Sequence, residues 1–479
     1  MTSAASSVRP AVGRSLAILS LAALSFSLMQ TAVVPAIGDM ASVLHADAQD
    51  TTWTLTGYLV SAAVLTPVLG RLGDMYGKRR LVVISLVLFA AGAVLAALGT
   101  SLGLVIAGRV LQGAGGGVLP LSFGIVRDEF PAARRPGAIG LLSAVLGVGG
   151  GIGLLMGGLL VDHASYRWIF WAGAAMAVIA AVSAQLLLLP ESPVRVPEKV
   201  DLAGAALLAV VVTAPLIAVS QGRAWGWTSG RTLGLIAAGV VVLAVFALVE
   251  RRRAAPLVDI PLFVRPPVLM TNLATLLVGF GMFGALVLIP QLAQTPASSG
   301  YGFGVDATRA GLLILPGCLI MLVTGPLSGA LAERFHAKLP LAFGGLSSAA
   351  GLVMLALQHG SQTAVLGWTT VLFVGIGLSF AAIPNLIVEA VPAARTGEAT
   401  GLNAPVRSVG SSLGTQVVAG ILAGSITTAR PLPTDHAYTI AFLAGAVGSL
   451  VAAVAAAFVP RVRAHDTTGT ARVTARTGA

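Results

Sequence analysis

Along the whole chain, apolar runs long enough to be membrane helices alternate with short polar turns that carry most of the charge. A helix needs about 20 apolar residues to cross the hydrocarbon core of a bilayer. Fourteen runs approach that length: 15–38, 52–70, 81–99, 102–126, 137–161, 168–189, 202–220, 233–249, 268–292, 310–332, 339–357, 365–391, 401–425 and 438–459. The seventh and eighth are the least sharply bounded, because Trp225 and Trp227 between them suit a re-entrant or interfacial break. None of the runs alternates as a barrel strand does, and each is about twice the 9–11 residues of such a strand. Hydrocarbon offers no water to pair backbone groups, so only helices or closed barrels can span it, and the pattern selects helices. The expected fold class is an all-α integral membrane protein.

Proline and charge interrupt this pattern twice, at 190–201 and at 250–267. Six candidate helices precede the first break, two lie between the breaks, and six follow. The expected organisation is an N-terminal six-helix bundle over 1–190 and two linker transmembrane helices over 191–255, then a C-terminal six-helix bundle over 256–460 and a disordered cytoplasmic tail over 461–479.

Composition supports a lipid environment. The 479 residues are 56% hydrophobic and 10% charged, against roughly 25% charged in soluble domains. The net charge of +11 does not point to nucleic acid, because the Lys and Arg lie mostly in short segments between apolar runs. With the N-terminus inside, the outer segments hold only Arg167, Arg223, Arg231, Arg309 and Arg430, and the inner segments hold most of the rest. That asymmetry places both termini in the cytoplasm. A twelve-helix arrangement keeps the same parity, so charge alone does not select fourteen. The single cysteine, Cys318, excludes an intrachain disulfide, and no His/Cys cluster offers a metal site, so neither metal nor cofactor is expected.

Several local patterns carry chemistry. Residues 70–80 read GRLGDMYGKRR between two apolar runs. Gly70, Gly73 and Gly77 permit close packing and a tight turn. Asp74 stands just before the third helix, where exposed N–H groups favour a carboxylate, and Lys78, Arg79 and Arg80 hold the loop in the cytoplasm. Arg109 lies within the fourth run, where a charge costs about 2.5–3.5 kcal/mol on insertion scales, so it must face the bundle interior and find partners. A structural arginine bonded to carbonyls and a functional one remain open at this point. Gly149, Gly153 and Gly157 form a stripe of small residues on the fifth run.

Taken together, these patterns resemble the major facilitator superfamily, and the six–two–six layout resembles its fourteen-helix drug/proton antiporter branch, the EmrB/QacA-like multidrug efflux transporters. The resemblance implies two bundles rocking about a midplane site. In that family the loop carrying Gly70, Asp74, Gly77, Lys78 and Arg79 latches the bundles in the outward-facing state; Met75 occupies a position that is usually basic. Arg109, Gln112 and Gly113 match Arg-x-x-Gln-Gly, whose arginine is associated with proton transfer. Residues 153–158 resemble the exporter motif Gly-Pro-x-x-Gly-Gly, with Gly157 and Gly158 closing it and Leu154 replacing the proline. Asn403 and Arg407, with Gly397, Gly401, Gly410 and Gly414, match the branch's pattern in the C-terminal bundle. Gly325, Gly329, Glu333, Arg334 and Lys338 form a degenerate echo of the loop motif, as an internal repeat leaves.

One departure bears on mechanism. The branch usually has an aspartate in the middle of the first helix, where this chain has Met29 or Gln30, followed by a helix-bending Pro35. No candidate helix has an acid near its centre; Asp39 and Glu389 lie near helix ends and, with Arg109, are the proton-coupling candidates. The expected substrate cavity contains Met29, Gln30, Tyr58, Arg109 and Asn385, which favours neutral or anionic amphiphiles over dications. No Walker loop and no reactive cluster is present, so neither an ATP-driven pump nor an enzyme is expected. The expected function is export of hydrophobic or amphiphilic small molecules in exchange for protons, by a monomer. The alternative is a narrow-range exporter of an endogenous metabolite or lipid-like compound with weak or no proton coupling. The Ala/Gly/Arg-rich, Lys-poor composition suggests a GC-rich bacterium and hence the inner (plasma) membrane. Restoring the missing acid with Gln30→Asp is expected to increase transport of a cationic amphiphile such as ethidium; transport unchanged from wild type would contradict the role given to that position.

Overall fold

In the computed structural model, residues 2–188, 201–253, 258–426 and 432–460 are described, and no strand forms among them. Each apolar run closes its backbone hydrogen bonds within itself, as lipid requires. The long helices are α1 Thr2–Thr31, α2 Trp53–Tyr76, α3 Lys78–Leu98, α4 Leu102–Glu129, α5 Arg135–His163, α6 Tyr166–Leu187, α7 Leu202–Trp225, α8 Gly230–Arg252, α9 Pro266–Gln294, α10 Ala307–Phe335, α11 Lys338–Leu357, α12 Gln362–Ala390, α13 Thr396–Gly424 and α14 Asp435–Ala457. The tail at 461–479 and the break at 190–200 lie outside the described residues.

Twelve of these helices are long and apolar enough to cross a membrane, not the expected fourteen. The two that fall short do so for different reasons. In α7 the apolar stretch is only Ala203–Val219. In α13 the run is interrupted by Glu398, Asn403, Arg407, Ser408, Ser411, Ser412, Thr415 and Gln416.

Helix ends also differ from expectation. The first helix stops at Thr31 instead of bending at Pro35, and the chain turns before a short helix over Ile37–Val43. Proline supplies no N–H and disfavours a helical residue before it, so termination satisfies the backbone better than a kink. The fourth run is interrupted by a 3-10 segment at Gly113–Gly117, where glycines bring the backbone against α2. A Cβ at Gly113 would lie 1.9 Å from the Ser61 hydroxyl.

Within the N-terminal half, α5 packs against α1, and α6 packs against α1 and α3. The glycine stripe makes the first contact possible. Side chains at Gly149 and Gly153 would strike Ser27 and Leu28, and a Cβ at Gly157 would fall 2.0 Å from the Ala32 carbonyl. Gly158 faces open space and takes no part. The C-terminal half mirrors this, with α9 against α13 and α14, and α12 against α10 and α11.

The most extensive contacts between the halves are those of α5 with α10 and of α2 with α13, and α12 also meets α5 while α13 meets the end of α4. A Cβ at Gly140 would sit 2.3 Å from the Gly325 carbonyl, and one at Gly70 would sit 2.3 Å from that of Gly397. Gly325 and Gly329, the echo residues, therefore serve the seam much as the loop glycines do. Helix α7 packs against both α2 and α13 and shares an apolar cluster with them, formed by Ala63, Leu208, Val212, Leu216 and Leu402. Helix α8 leans on α7 and turns Val240 and Val241 outward. Their far ends are tied by the Arg253–Asp201 ion pair, and Asp201 also accepts from the Gly204 N–H at the start of α7.

Candidate functional site

Between the halves lies a cavity of about 540 Å³, within the 300–1,000 Å³ that holds drug-sized molecules. Phe26, Phe123, Phe283, Phe373 and Phe380 supply aromatic wall, and Gln30, Thr31, Gln221 and Asn403 supply polar groups. Helix α13 contributes one polar face, with Thr400, Asn403, Arg407, Ser411 and Thr415 at helical spacing. The polarity that lowers the hydropathy of α13 is thus turned to the cavity.

Of the five cavity residues expected from sequence, Gln30 and Tyr58 line the space. Met29 is fully buried against Gly173 instead. Arg109 stands one layer behind the wall, fully buried, with its guanidinium 3.9 Å from the centre of the Tyr58 ring. It donates to the carbonyls of Thr54 (3.1 Å) and Met29 (3.3 Å) and to Gln112 Oε1 (2.8 Å). Those bonds join α4 to α2 and α1 and provide the interior partners that a charge in lipid requires. Asn385 lies deeper, donating to the carbonyls of Ala381 and, across the seam, Pro136. Neither candidate acid reaches the cavity. Asp39 accepts from the Tyr166 N–H at the start of α6, and Glu389 is exposed beside His336 and Lys338. Among the described residues, the one charged residue that does line the cavity is Arg407.

The loop motif closes one end of this space. Gly77, with φ 111°, makes the turn from α2 into α3, a conformation that favours glycine. Asp74 was expected to serve the start of α3. Its carboxylate instead accepts from the N–H groups of Gly397 (3.3 Å) and Glu398 (3.0 Å), in the first turn of α13. The exposed N–H groups and dipole of that helix favour the negative charge as α3 would have, and the seam brings them nearer. Lys78 runs over Gly124 to pair with Asp74 (3.2 Å) and Asp128 (2.8 Å). Arg71 pairs with Glu398 across the seam at 3.2 Å, both side chains 3% exposed. Met75 is buried, and Arg71, one turn earlier, supplies the cation. Glu398 also accepts from the Asp259 N–H (2.7 Å), and Arg127 donates to Thr396 Oγ1 (2.9 Å) and the Val391 carbonyl (2.7 Å). From this closed end α2 and α13 diverge, so that Thr52 and Thr56 on one and Thr415 and Gln416 on the other both face the cavity.

The family profile described as Major Facilitator Superfamily matches residues 19–415, from α1 into α13. This chain belongs to the major facilitator superfamily. It is accordingly a multi-pass membrane transporter and not an enzyme. It is 31% identical over 393 residues to the tetracenomycin C resistance and export protein of Streptomyces glaucescens, a match spanning 81% of this chain and 72% of that protein. It is also 31% identical over 374 residues to the multidrug resistance protein Stp of Mycobacterium tuberculosis strain H37Rv, covering 78% of this chain and 68% of Stp. The fold is shared with the proton:xylose symporter XylE, at TM-score 0.66 and 15% identity over 94% of this chain and 96% of XylE.

In this transporter, the sequence singled out Gly70, Asp74 and Lys78, which the structure brings to the seam region, but not Glu398, Asp128 or Arg127, which it brings to them. Asp128 and Arg127 lie at a helix end near other charges, and Glu398 opens a helix rich in polar residues. Only the fold shows that Glu398 and Arg127 bond across the seam and that Asp128 backs Lys78 behind it. Removing one member of a buried ion pair costs about 3–5 kcal/mol, because the other charge is left without its partner. Arg71→Met and Glu398→Gln are each expected to lower the thermal stability of the purified protein, and the double variant to lose less than the sum. Strictly additive losses in that double-mutant cycle would show that the pair does not couple the halves.

Proposed function

We propose that this transporter exports hydrophobic or amphiphilic small molecules from a bacterial cell by alternating access, and that it belongs to the fourteen-helix drug/proton antiporter branch. The observation that carries the reading is the cavity between the two halves, walled mainly by apolar and aromatic side chains and closed at one end by the latch. The names of the relatives point the same way, to resistance and export. On this reading α7 and α13 also cross the membrane, bringing the total to fourteen. The polar face of α13 is what a cavity wall requires, and α7 stands against both α2 and α13 where a linker helix can follow the two halves as they rock. The latch end is cytoplasmic, as are both termini, so the cavity opens to the outside. The protein works as a monomer in the inner membrane.

Proton antiport is the coupling proposed, through Asp39, Glu389 or Arg109. None of the three lines the cavity, so substrate and proton communicate through the helices rather than by competing for one group. The absence of any Asp or Glu among the described cavity-lining residues favours a second reading, a narrow-range exporter of an endogenous metabolite with weak or no proton coupling.

Purified protein in liposomes loaded with a pH-sensitive dye, under an imposed proton gradient, tests both readings against cationic, neutral and anionic fluorescent amphiphiles. Antiport predicts proton movement triggered by an accepted amphiphile. Amphiphile flux without proton movement supports the second reading. Flux no faster than through protein-free liposomes for every probe contradicts export.

A further inference from the structure

We propose that Arg407 is the docking group for an anion, so that the compounds this transporter carries bear a carboxylate on an otherwise apolar body. The inference rests on the export reading above and names the substrate class for that same cavity. Arg407 lies near the middle of α13 and is the sole formal charge among the described residues lining the cavity. Its guanidinium lies 5.5 Å from the centre of the Phe380 ring, and among the described residues its N–H groups donate to no acceptor. Among the described residues, no carboxylate pairs with it.

The other arginines near the seam are already engaged. Arg109 is spent on Thr54, Met29 and Gln112 behind Tyr58, Arg71 on Glu398, and Arg127 on Thr396 and Val391. The polar neighbours of Arg407 are committed as well. Asn403 donates to Asn272 and Thr275, and Ser411 to the Arg407 carbonyl. A charge inside a membrane protein is costly unless it is paired or faces water. Arg407 faces a cavity large enough for a ligand and carries a planar fork of donors that matches a carboxylate. An amphiphilic cation entering this space meets like charge and no counter-charge. A carboxylate offsets the charge of Arg407 while its apolar body rests against Phe283 and Phe373.

Full-length protein in lipid nanodiscs tests this with three probes sharing one fluorophore: dansyl-phenylalanine, its neutral carboxamide, and the cationic dansyl-ethylenediamine. Wild type is expected to bind the carboxylate about tenfold more tightly than the amide, the factor that one charge-assisted hydrogen bond carries. Arg407→Gln is expected to bring that ratio to about one, and the persistence of measurable amide binding shows that the variant is folded; Arg407→Lys keeps part of the preference because it retains the charge but not the fork. A wild-type ratio near one, a preference for the amine, binding of none of the probes, or a carboxylate preference that survives in Arg407→Gln overturns the proposal. Liposome flux of the same probes separates the two claims. Transport without charge preference removes only the anion assignment, whereas no flux of any probe removes the export reading with it.

Discussion

At one end of the molecule, the backbones of α2 and α13 touch through Gly70 and Gly397, and Asp74 receives the first N–H groups of α13. Most of the architecture depends on this contact. Two helices meet this closely only where neither carries a side chain, and a buried carboxylate is tolerated there because a helix N-terminus and Lys78 face it. A second glycine contact, Gly140 against Gly325, closes the other side of the same end. With both sides pinned, α2 and α13 are free to diverge toward the opposite end, and the cavity is the space they leave.

The cavity then accounts for the two helices whose hydropathy falls short. A helix that walls a polar-lined space cannot be uniformly apolar, and α13 carries its polar residues on the face that meets the cavity. Helix α7 is short of apolar residues for another reason. It packs against both halves and sends Leu216 and Gln221 to the cavity, so part of its surface faces protein rather than lipid. Its partner α8 shows the opposite behaviour, with an apolar surface turned outward. Hydropathy reports contact with lipid, and it fails where a helix has something else to face.

The same principle separates what could be read in the sequence from what could not. The helices and their order were legible, because each run must satisfy its own backbone and most must face lipid. The glycine contacts were legible as motifs, although which helix each glycine meets was not. Arg109 was recognisable as a charge in need of partners, yet its place behind Tyr58 depends on how three helices meet. Glu398 escaped notice because its partner Arg71 lies 327 residues away, and no local spacing marks such a pair. Arg407 was noticed as part of a motif, and only the fold shows that it is the one charge among the described residues lining the cavity.

The central claim is that the contacts around Asp74 hold one end of the transporter closed while the other is open. Distances between spin labels test it directly, on a Cys318→Ser background with one labelled pair at Tyr76 and Ala393 and another at Val43 and Ser298, all exposed positions. Asp74→Asn weakens what α2 offers the start of α13 and the Lys78 ammonium. This change is expected to lengthen the Tyr76–Ala393 distances and shorten the Val43–Ser298 distances in the same sample. Distributions that stay unchanged, or two pairs that move in the same direction, would contradict it.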